Sequence, residues 1–265
     1  MHFRPDPHRL PPLQTTSDMH TIDLNCDLGE GCGNDADIVP LISSANISCG
    51  AHAGDDATIA ATLRLCAAHG VAVGAHPGYA ERAHFGRRET GQSPQEIAAL
   101  VQAQVERFLA LALAHGVPVR HVKLHGALYN RAARDVEVAA VVARTVQRID
   151  PSLRLVGLSG SEMLNIARTL GMAVAHEVFP DRGYDTEGRL LPRDRPGAVI
   201  ESPQEVAERA FLLASLGLAR DERGRPLMLR ADTLCLHGDR DDAVAVAQAV
   251  RARLSRFDVG VAALD

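Results

Sequence analysis

The chain has 265 residues, of which 46% are apolar, and that length is sufficient for one α/β domain with a sizeable core. Its formal net charge of −5 offers neither the basic surface typical of nucleic-acid binding nor a polybasic membrane signal, so we expect no nucleic-acid or membrane partner. The five cysteines are odd in number, widely spaced and without a C-x-x-C pair, which favours reduced thiols in the cytoplasm over disulfides or structural zinc.

The N-terminal segment is proline-rich and differs from the rest of the chain. Residues 1–18 contain four prolines and no apolar segment of the kind that a signal peptide carries. We expect a disordered extension over residues 1–18, with Met19 as a candidate initiator, and a single catalytic domain over residues 19–265. No apolar run approaches the roughly 20 residues that a membrane-spanning helix requires.

Strand-like and helix-like patterns alternate along the remaining sequence. Short apolar runs predict seven strands, at 21–25, 45–49, 71–75, 119–124, 153–158, 173–178 and 233–236. Helices are predicted at 55–69, from 93, at 135–148, after 161, from 202 and at 241–254. The clearest starts are two Ser-Pro-Gln-Glu sequences, at 93–96 and 202–205, because each combines a capping box with proline at the first helical position. The apolar segment 259–264 is expected to pack as a last strand or to close the bottom.

Alternating strands and helices are typical of a parallel sheet. Seven strands are one fewer than a complete β/α barrel has, so we predict an α/β fold, a distorted seven-stranded β/α barrel. The alternative is an open doubly wound sheet, which usually carries a glycine-rich nucleotide-binding turn that this sequence lacks. Two long segments, 77–92 and 179–195, are predicted to be binding loops or lids.

Polar residues, many of them beside glycines, follow several predicted strands, where a barrel builds its active site. The candidate catalytic residues are Asp27, His52, His76 and His125. The candidate substrate-binding residues are Asn25, Glu30, Asn46, Lys123, Tyr129, Arg182, His237 and Asp239. Clustered acids and histidines favour an enzyme over a non-catalytic binder of a small anion, because a binder seldom needs so many groups that titrate near neutral pH.

Some of these residues have simpler interpretations that the sequence leaves open. Asp27 and Glu30 either carry chemistry or cap the turn after the first strand. Asp239 either contributes to an anion site or caps the helix that follows it. Cys49 and His52 have metal-ligand spacing, although a buried free thiol is the commoner role of such a cysteine.

The roles of Lys123 and Arg182 depend on which anion each of them binds. Strand alternation places Lys123 and His125 on one side of their strand, and a lysine inside a barrel requires a partner such as Asp27 or a substrate carboxylate. Arg182 can clamp a carboxylate or phosphate through its bidentate fork, or it pairs with a neighbouring acid. Tyr129 is expected in the loop after the fourth strand, in contact with substrate.

Familiar catalytic motifs are missing from the sequence. It contains no P-loop, no G-x-G-x-x-G after a strand and no G-x-S-x-G nucleophile elbow. A covalent serine mechanism and a standard nucleotide-binding fold are therefore both disfavoured.

Six segments that run in one order resemble the LamB/YcsF family, the A subunit of the bacterial ATP-dependent 5-oxoprolinase. Several segments in order are more specific than any single motif. The matching segments are DLNCDLGEG (23–31), PLISSANISCGAHAGD (40–55), GVAVGAHPGYAERAHFGRRE (70–89), VKLHGALYN (122–130), EVFPDRGYDTEGRLLPR (177–193) and LCLHGD (234–239).

The resemblance implies a barrel similar to that of polysaccharide deacetylases and the ATP-driven hydrolysis of 5-oxo-L-proline to L-glutamate. It also implies B and C subunits as partners, which activate the lactam by phosphorylation. This chain would then position water, with Asp27 or a histidine as general base and another histidine as the acid that protonates the ring nitrogen. Lys123 and Arg182 would hold the carboxylate or the phosphoryl oxygens.

A divalent metal is a further expectation, with Asp27, His52 and His125 as its ligands. One acid and two histidines with an open position suit a catalytic zinc or a similar ion. The alternative function is therefore a stand-alone, metal-dependent amidohydrolase or deacetylase that acts on an N-acyl or carbohydrate substrate without ATP.

Overall fold

The structure is a computed structural model that describes residues 20–264. Its strands are β1 (Thr21–Leu28), β2 (Ser44–Ser48), β3 (Ala72–His76), β4 (Val119–Lys123), β5 (Arg154–Leu158), β6 (Val174–Val178), β7 (Leu218–Arg220), β8 (Pro226–Met228), β9 (Thr233–His237) and β10 (Gly260–Val261). Its helices are α1 (Asp35–Ile38), α2 (Asp56–His69), α3 (Pro94–Ala114), α4 (Gly126–Arg134), α5 (Val136–Ile149), α6 (Glu162–Thr169), α7 (Pro203–Leu216) and α8 (Ala243–Arg256). The expectations for residues 1–18 and Met19 lie outside the described residues.

Seven of these strands form a closed parallel barrel. The pairing runs in the order β1-β2-β3-β4-β5-β6-β9, and β9 pairs back onto β1. Because β1 has a partner on each side, the ring is closed. The predicted seven-stranded β/α barrel is confirmed, and the open doubly wound alternative is wrong. β10 pairs with the first two residues of β1, so the C-terminal segment packs as a last short strand.

The layer between the strands and the surrounding helices is apolar. Outward-facing residues of β1, such as Leu24 and Leu28, are fully buried, as is the stripe of α3 that includes Val101 and Val105. Each buried side chain of this size contributes about 1.5–3 kcal/mol to folding. The helix caps match the sequence, because Ser93 forms a complete capping box with Glu96 at the start of α3.

The interior of the barrel is polar instead. Alternate residues of β1, at positions 23, 25 and 27, face the interior, and they form hydrogen bonds there. The carboxylate of Asp23 accepts hydrogen bonds from the hydroxyls of Ser43, Ser44 and Thr233 at 2.6, 2.7 and 2.5 Å. β1 continues to Leu28, three residues beyond the strand predicted from its apolar run, because residues 26–28 pair with β2 and residues 26–27 also pair with β9.

Two elements depart from the predicted pattern. Tyr129 is expected in a loop, but it lies in α4, which starts directly after His125 without a side-chain cap. The short antiparallel hairpin of β7 and β8 was not predicted either, because each of its strands has only three residues.

The last helix begins later than expected. Asp242, not Asp239, occupies the N-cap position of α8, and it makes no side-chain capping bond. The interpretation of Asp239 as a helix cap is therefore wrong. Its carboxylate instead pairs with Arg87, with 2.5 Å between Oδ2 and Nη2.

One helix in the described part of the chain, α3, is long and apolar enough to cross a membrane by length and composition alone. The sequence-based expectation of no such segment did not anticipate it. The apolar stripe of α3 packs against the barrel and α5, and helices of soluble cores pass the same test, so this is weak support for a membrane span.

A close backbone contact joins the loops after β1 and β2. Gly54 has φ of +69°, and a Cβ atom built there would stand 2.1 Å from the carbonyl oxygen of Gly29. Only glycine fits this approach, and the contact holds the loop that carries Glu30 beside the loop that carries His52. These two side chains belong to the site described below.

We expect Gly54→Ala to destabilise the protein more than Gly70→Ala, a matched control. Gly70 also has positive φ, +67°, but a Cβ there meets no atom within 4 Å. Alanine at Gly70 costs only left-handed strain, about 1–2 kcal/mol, whereas alanine at Gly54 adds an overpacking cost of about 1–3 kcal/mol. Urea unfolding measures both losses, and equal values would contradict the close contact.

Candidate functional site

Polar side chains converge at the carboxyl end of the barrel, as the strand-end pattern predicted. Asp27, His76, Lys123 and His237 lie at the ends of their strands, while Glu30, His52 and His125 lie in the segments that follow. Above them is a cavity of about 710 Å³. A volume of this order is typical of small-molecule sites.

Lys123 lies buried between two carboxylates below the cavity. Its Nζ atom is 2.8 Å from both Asp27 Oδ1 and Glu177 Oε1, and it also donates to Cys235 Sγ at 3.0 Å. Burial opposes the charged form, but the carboxylate of Asp27 leads the interactions that raise the pKa of Lys123 well above its usual range. The ammonium group therefore donates its hydrogen bonds to groups of the protein. Of the two partners expected for Lys123, Asp27 or a substrate carboxylate, the structure shows Asp27.

The carboxylate of Asp27 is held on both oxygens. Oδ1 accepts hydrogen bonds from Lys123 at 2.8 Å and from the amide of Asn46 at 2.9 Å, and Oδ2 lies 3.2 Å from His76 Nε2. Burial would raise its pKa, but His76 and Lys123 hold the pKa of Asp27 well below its usual range. Asp27 is thus an ionised carboxylate of fixed orientation at the base of the cavity.

Two of the predicted substrate-binding residues lie beneath the cavity and not in its wall. The amide of Asn46 joins Asn25, Asp27 and His121, with its Oδ1 atom 2.7 Å from His121 Nε2. The amide nitrogen of Asn25 donates to Glu177 Oε1 at 3.0 Å and also to the hydroxyl of a β9 threonine. Both side chains are buried, and they orient the charged groups above them.

The hydrogen bonds of His76 and His125 fix which ring nitrogens carry protons. His76 Nδ1 lies 2.8 Å from the carbonyl oxygen of Lys123, and His125 Nε2 lies 2.8 Å from that of Phe85. A carbonyl only accepts, so both of these nitrogens are N–H donors. When both rings are neutral, the opposite nitrogens, His76 Nε2 and His125 Nδ1, hold lone pairs, yet they face each other at 2.9 Å. Such a contact requires a shared proton or a cation.

Four residues that each offer a possible metal-ligand atom surround this contact. Glu30, His52, His76 and His125 each contribute an atom within 4.8 Å of the others, an arrangement that could hold a metal ion. His52 stacks on His125 with ring centroids 3.8 Å apart, and its Nδ1 atom is buried without a hydrogen-bond partner among the described residues. Three imidazoles and a carboxylate suit a divalent transition metal.

The environment of His52 and His125 favours neutral imidazoles. Burial, followed by the charge of His76, lowers the pKa of His52 to about 3, and burial followed by His52 lowers the pKa of His125 well below its usual range. Burial and the negative charge of Asp27 raise the pKa of Glu30 well above normal. Neutral imidazoles present lone pairs, as metal ligands must.

The predicted ligands Asp27, His52 and His125 share two members with the group that the structure assembles. Asp27 is outside it, because its oxygens are held by Lys123, Asn46 and His76. The Cys49 thiol is outside it as well. Burial raises the pKa of Cys49 to about 12, so it stays a protonated buried thiol.

A histidine–aspartate pair, His237 and Asp181, also borders the cavity. His237 Nδ1 is 2.6 Å from Asp181 Oδ2, and Asp181 is 1% exposed. Burial opposes its ionisation, but the charge and hydrogen bond of His237 lower the pKa of Asp181. The ionised carboxylate therefore accepts the Nδ1 proton and fixes the ring, which lines the cavity beside Phe179. The sequence indicates His237 as a candidate but does not indicate Asp181, because 56 positions separate the two residues.

The cavity wall combines rings with arginines. Tyr129 and Phe179 contribute rings to it, with centroids 5.8 Å apart. Arg182 also lines it, but its guanidinium bonds the carbonyl oxygens of Leu191 and Ala198 instead of a neighbouring acid. Arg193 lines it too and was missed, although it ends the segment 177–193 that carries the resemblance.

The candidate residues thus fall into three groups. Some line the cavity, some lie behind it, and Asp239 is paired with Arg87 at its side. Those in the cavity lining are Asp27, Lys123, His125, Tyr129, Arg182 and His237. Those behind it, outside the lining, are Asn25, Glu30, Asn46, His52 and His76.

Comparisons with known proteins identify the relatives of this chain. Residues 22–265 match the LamB/YcsF family. A protein of Syntrophobacter fumaroxidans that is named as the A subunit of 5-oxoprolinase is 47% identical over 247 residues, which cover 91% of this chain and 98% of that protein.

Solved structures include one of similar sequence and others that share only the fold. The crystal structure of a lactam utilization protein from Thermus thermophilus has a TM-score of 0.86 at 44% identity and covers 92% of this chain and 100% of that one. A family 4 carbohydrate esterase from Streptomyces lividans has a TM-score of 0.52 at 10% identity and covers 93% of both chains. The second likeness shows a shared fold alone, and it agrees with the expected similarity to deacetylase barrels.

We expect Lys123→Met to destabilise the protein by about 3–5 kcal/mol, because it leaves the carboxylates of Asp27 and Glu177 buried without their cation. Adding Glu177→Gln removes one of these charges, so the double variant should be more stable than Lys123→Met alone. Urea unfolding of both single variants and the double variant measures this coupling. Additive losses would show that the charges do not depend on one another.

Proposed function

This chain belongs to the LamB/YcsF family, and on that premise we propose that it is the A subunit of a 5-oxoprolinase, which hydrolyses the ring amide of 5-oxo-L-proline to give L-glutamate. The match to a relative of that name over nearly the whole length of both chains carries the proposal. We further propose that it works in the cytoplasm with B and C subunits, and that the complex consumes ATP to phosphorylate the lactam oxygen.

The chemistry requires an activated amide, a positioned water and an acid. A five-membered lactam is a stable amide, and phosphorylation of its oxygen makes the ring carbon more electrophilic. Water adds to that carbon, and the ring C–N bond breaks with its electron pair moving to nitrogen, which takes up a proton. The resulting acyl phosphate reacts with a second water to release phosphate and glutamate.

His237 is the residue best suited to protonate the ring nitrogen. Its Nδ1 is held by Asp181 at 2.6 Å, which leaves Nε2 as the atom that exchanges protons in the cavity. A buried carboxylate that fixes an imidazole also stabilises the protonated ring. His237 is therefore proposed as the general acid and Asp181 as the residue that orients it.

Asp27 is proposed to orient the attacking water and receive its proton. The carboxylate borders the cavity and is held ionised by Lys123, whose Nζ lies 2.8 Å from Oδ1. Lys123 supports Asp27 electrostatically and does not hold a substrate anion, since its protons are directed at Asp27, Glu177 and Cys235. Tyr129 and Phe179 provide the apolar wall against which a small ring can pack.

A divalent metal fits the group of Glu30, His52, His76 and His125. The support is the close approach of His76 Nε2 and His125 Nδ1 at 2.9 Å, which a cation would satisfy, together with the oxygen of Glu30 that lies 3.0 Å from His52 Nε2 and 3.5 Å from His125 Nδ1. When bound there, a metal ion would supply Lewis acidity next to Asp27. These four residues are proposed as its ligands.

We predict that metal binding depends on Glu30 and not on Asp27. After chelation, Co²⁺ should bind the protein with tetrahedral or five-coordinate d–d absorption, and Glu30→Gln or His125→Asn should weaken its binding by roughly 100-fold. Asp27→Asn should change it less than tenfold. An equal loss in Asp27→Asn would make Asp27 a ligand. A wild-type chain that binds no Co²⁺ would show that the two histidines share a proton instead.

We expect glutamate to form from 5-oxoproline only when this chain, the B and C subunits and ATP are all present. In that mixture His237→Asn should lower kcat by about 10²–10⁴-fold, because it removes the proposed general acid. His84→Asn is the matched control, since His84 also borders the cavity but pairs with Glu81 at its exposed rim.

Other outcomes would contradict parts of this proposal. Glutamate formation without ATP or partners would favour the alternative of a stand-alone, metal-dependent amidohydrolase. Full activity of His237→Asn would leave the reaction intact and remove His237 from its proposed role. No glutamate from a mixture whose B and C subunits are competent with the equivalent chain of a related enzyme would overturn the function.

A further inference from the structure

The four possible metal ligands are closed off from solvent. Glu30, His52, His76 and His125, the ligand group, are between 1% and 8% exposed. All of them except His125 lie outside the lining of the large cavity. An ion therefore reaches or leaves this group only when a covering part of the chain moves.

A short segment after β3 covers two of these histidines. The carbonyl oxygen of Phe85 accepts a hydrogen bond from His125 Nε2 at 2.8 Å, and the Phe85 ring meets the rings of His125 and His52 edge-on, with centroids 5.6 and 5.8 Å away. A Cβ atom built on Gly86 would stand 3.0 Å from side-chain atoms of both histidines. The segment 82–87, the strap, thus lies in direct contact with the ligand group.

An ion pair joins the strap to the far side of the ring. Arg87 Nη2 lies 2.5 Å from Oδ2 of Asp239, which follows β9. Because β1 and β2 lie between β3 and β9 in the ring, this pair spans the ends of two strands. The guanidinium of Arg87 also lies 5.0 Å from the centroid of the Phe85 ring. Arg87 therefore connects the ion pair to the ring that covers the histidines.

The two ends of the strap are held differently. Arg82 anchors the first end, because it donates at 2.8 and 2.9 Å to two carbonyl oxygens in the loop after β2. The ion pair at the other end has side chains that are 32% and 19% exposed, and partly exposed pairs contribute little to stability. Phe85, between the two ends, has φ of +58°, a left-handed conformation that residues with a Cβ atom seldom adopt. The structure thus favours movement at the end that the ion pair holds.

We propose that the strap is a lid over the ligand group and that the Arg87–Asp239 pair is the latch that keeps it closed. Opening breaks this ion pair and separates His125 Nε2 from the carbonyl oxygen of Phe85, which exposes the ligand atoms to solvent. The lid controls how fast a divalent ion enters and leaves, and it contributes no ligand. That role rests on the metal site proposed above, whereas the lid itself can be tested in the metal-free chain.

The test measures how fast diethyl pyrocarbonate, which acylates the lone pair of accessible neutral imidazoles, modifies each histidine of the full chain after chelation. In the wild-type chain we expect His52 and His125 to react at least tenfold more slowly than His115, which is exposed at the end of α3. Asp239→Asn should accelerate both of them at least tenfold and leave His115 unchanged. Arg87→Gln, which breaks the same pair from the other side, should have the same effect.

Two controls separate opening of the lid from other changes. Glu89→Gln removes an ion pair between the same loop and Arg134 but leaves the latch intact, so it should change the rate of His125 less than twofold. His121 is buried inside the barrel away from the strap, and it should stay slow in every variant because only general unfolding exposes it. Co²⁺ should also enter and leave Asp239→Asn at least tenfold faster than the wild-type chain.

Each contrary result has a distinct meaning. Unchanged rates of His52 and His125 in both latch variants would overturn the latch, and equal acceleration by Glu89→Gln would do the same. Wild-type rates as fast as that of His115 would overturn the lid. Faster histidine modification with unchanged Co²⁺ rates would remove its control of ion entry. Because no glutamate is measured, these results reject the lid without rejecting ring opening, which the complete mixture tests separately.

Discussion

The buried charge of Lys123, shared between Asp27 and Glu177, is the interaction on which the rest of the site depends. A lysine inside a barrel loses its hydration, and only close carboxylates offset that loss. The two 2.8 Å contacts join β4 to β1 and to β6, so the same interaction ties three strands of the ring together. Ion pairs in the interior therefore help to hold the barrel closed. The apolar contacts lie instead between the strands and the surrounding helices.

The polar network around this charge extends along the barrel axis. Asn25 and Asn46 connect Glu177 and Asp27 to the hydroxyl-bound carboxylate of Asp23 deeper in the barrel. Buried polar networks are rigid where each side chain has a fixed partner in a medium of low dielectric. Asp27 consequently reaches the cavity with one orientation and one charge state, which suits the water-positioning role that we propose for it.

The site is divided between two sides of one cavity. Glu30, His52, His76 and His125 bring possible metal-ligand atoms within 4.8 Å of one another on one side, and the His237–Asp181 pair provides an oriented imidazole on the other. The barrel itself is shared with proteins of 10% identity, such as a carbohydrate esterase, so the fold does not select the reaction. We therefore propose that the side chains at the strand ends determine this chain's chemistry.

The sequence by itself determined the α/β class, the seven-stranded barrel, the capped starts of α3 and α7, and the end of the barrel at which the polar residues collect. These features depend on local patterns of two to four residues, which periodicity and capping reveal. Only the tertiary structure decided which partners those residues have. Lys123 meets Asp27 across 96 positions, His237 meets Asp181 across 56, and Arg193 reaches the cavity from a loop. Such pairings arise from closure of the ring, which brings distant strand ends together, and no local pattern in the sequence encodes them.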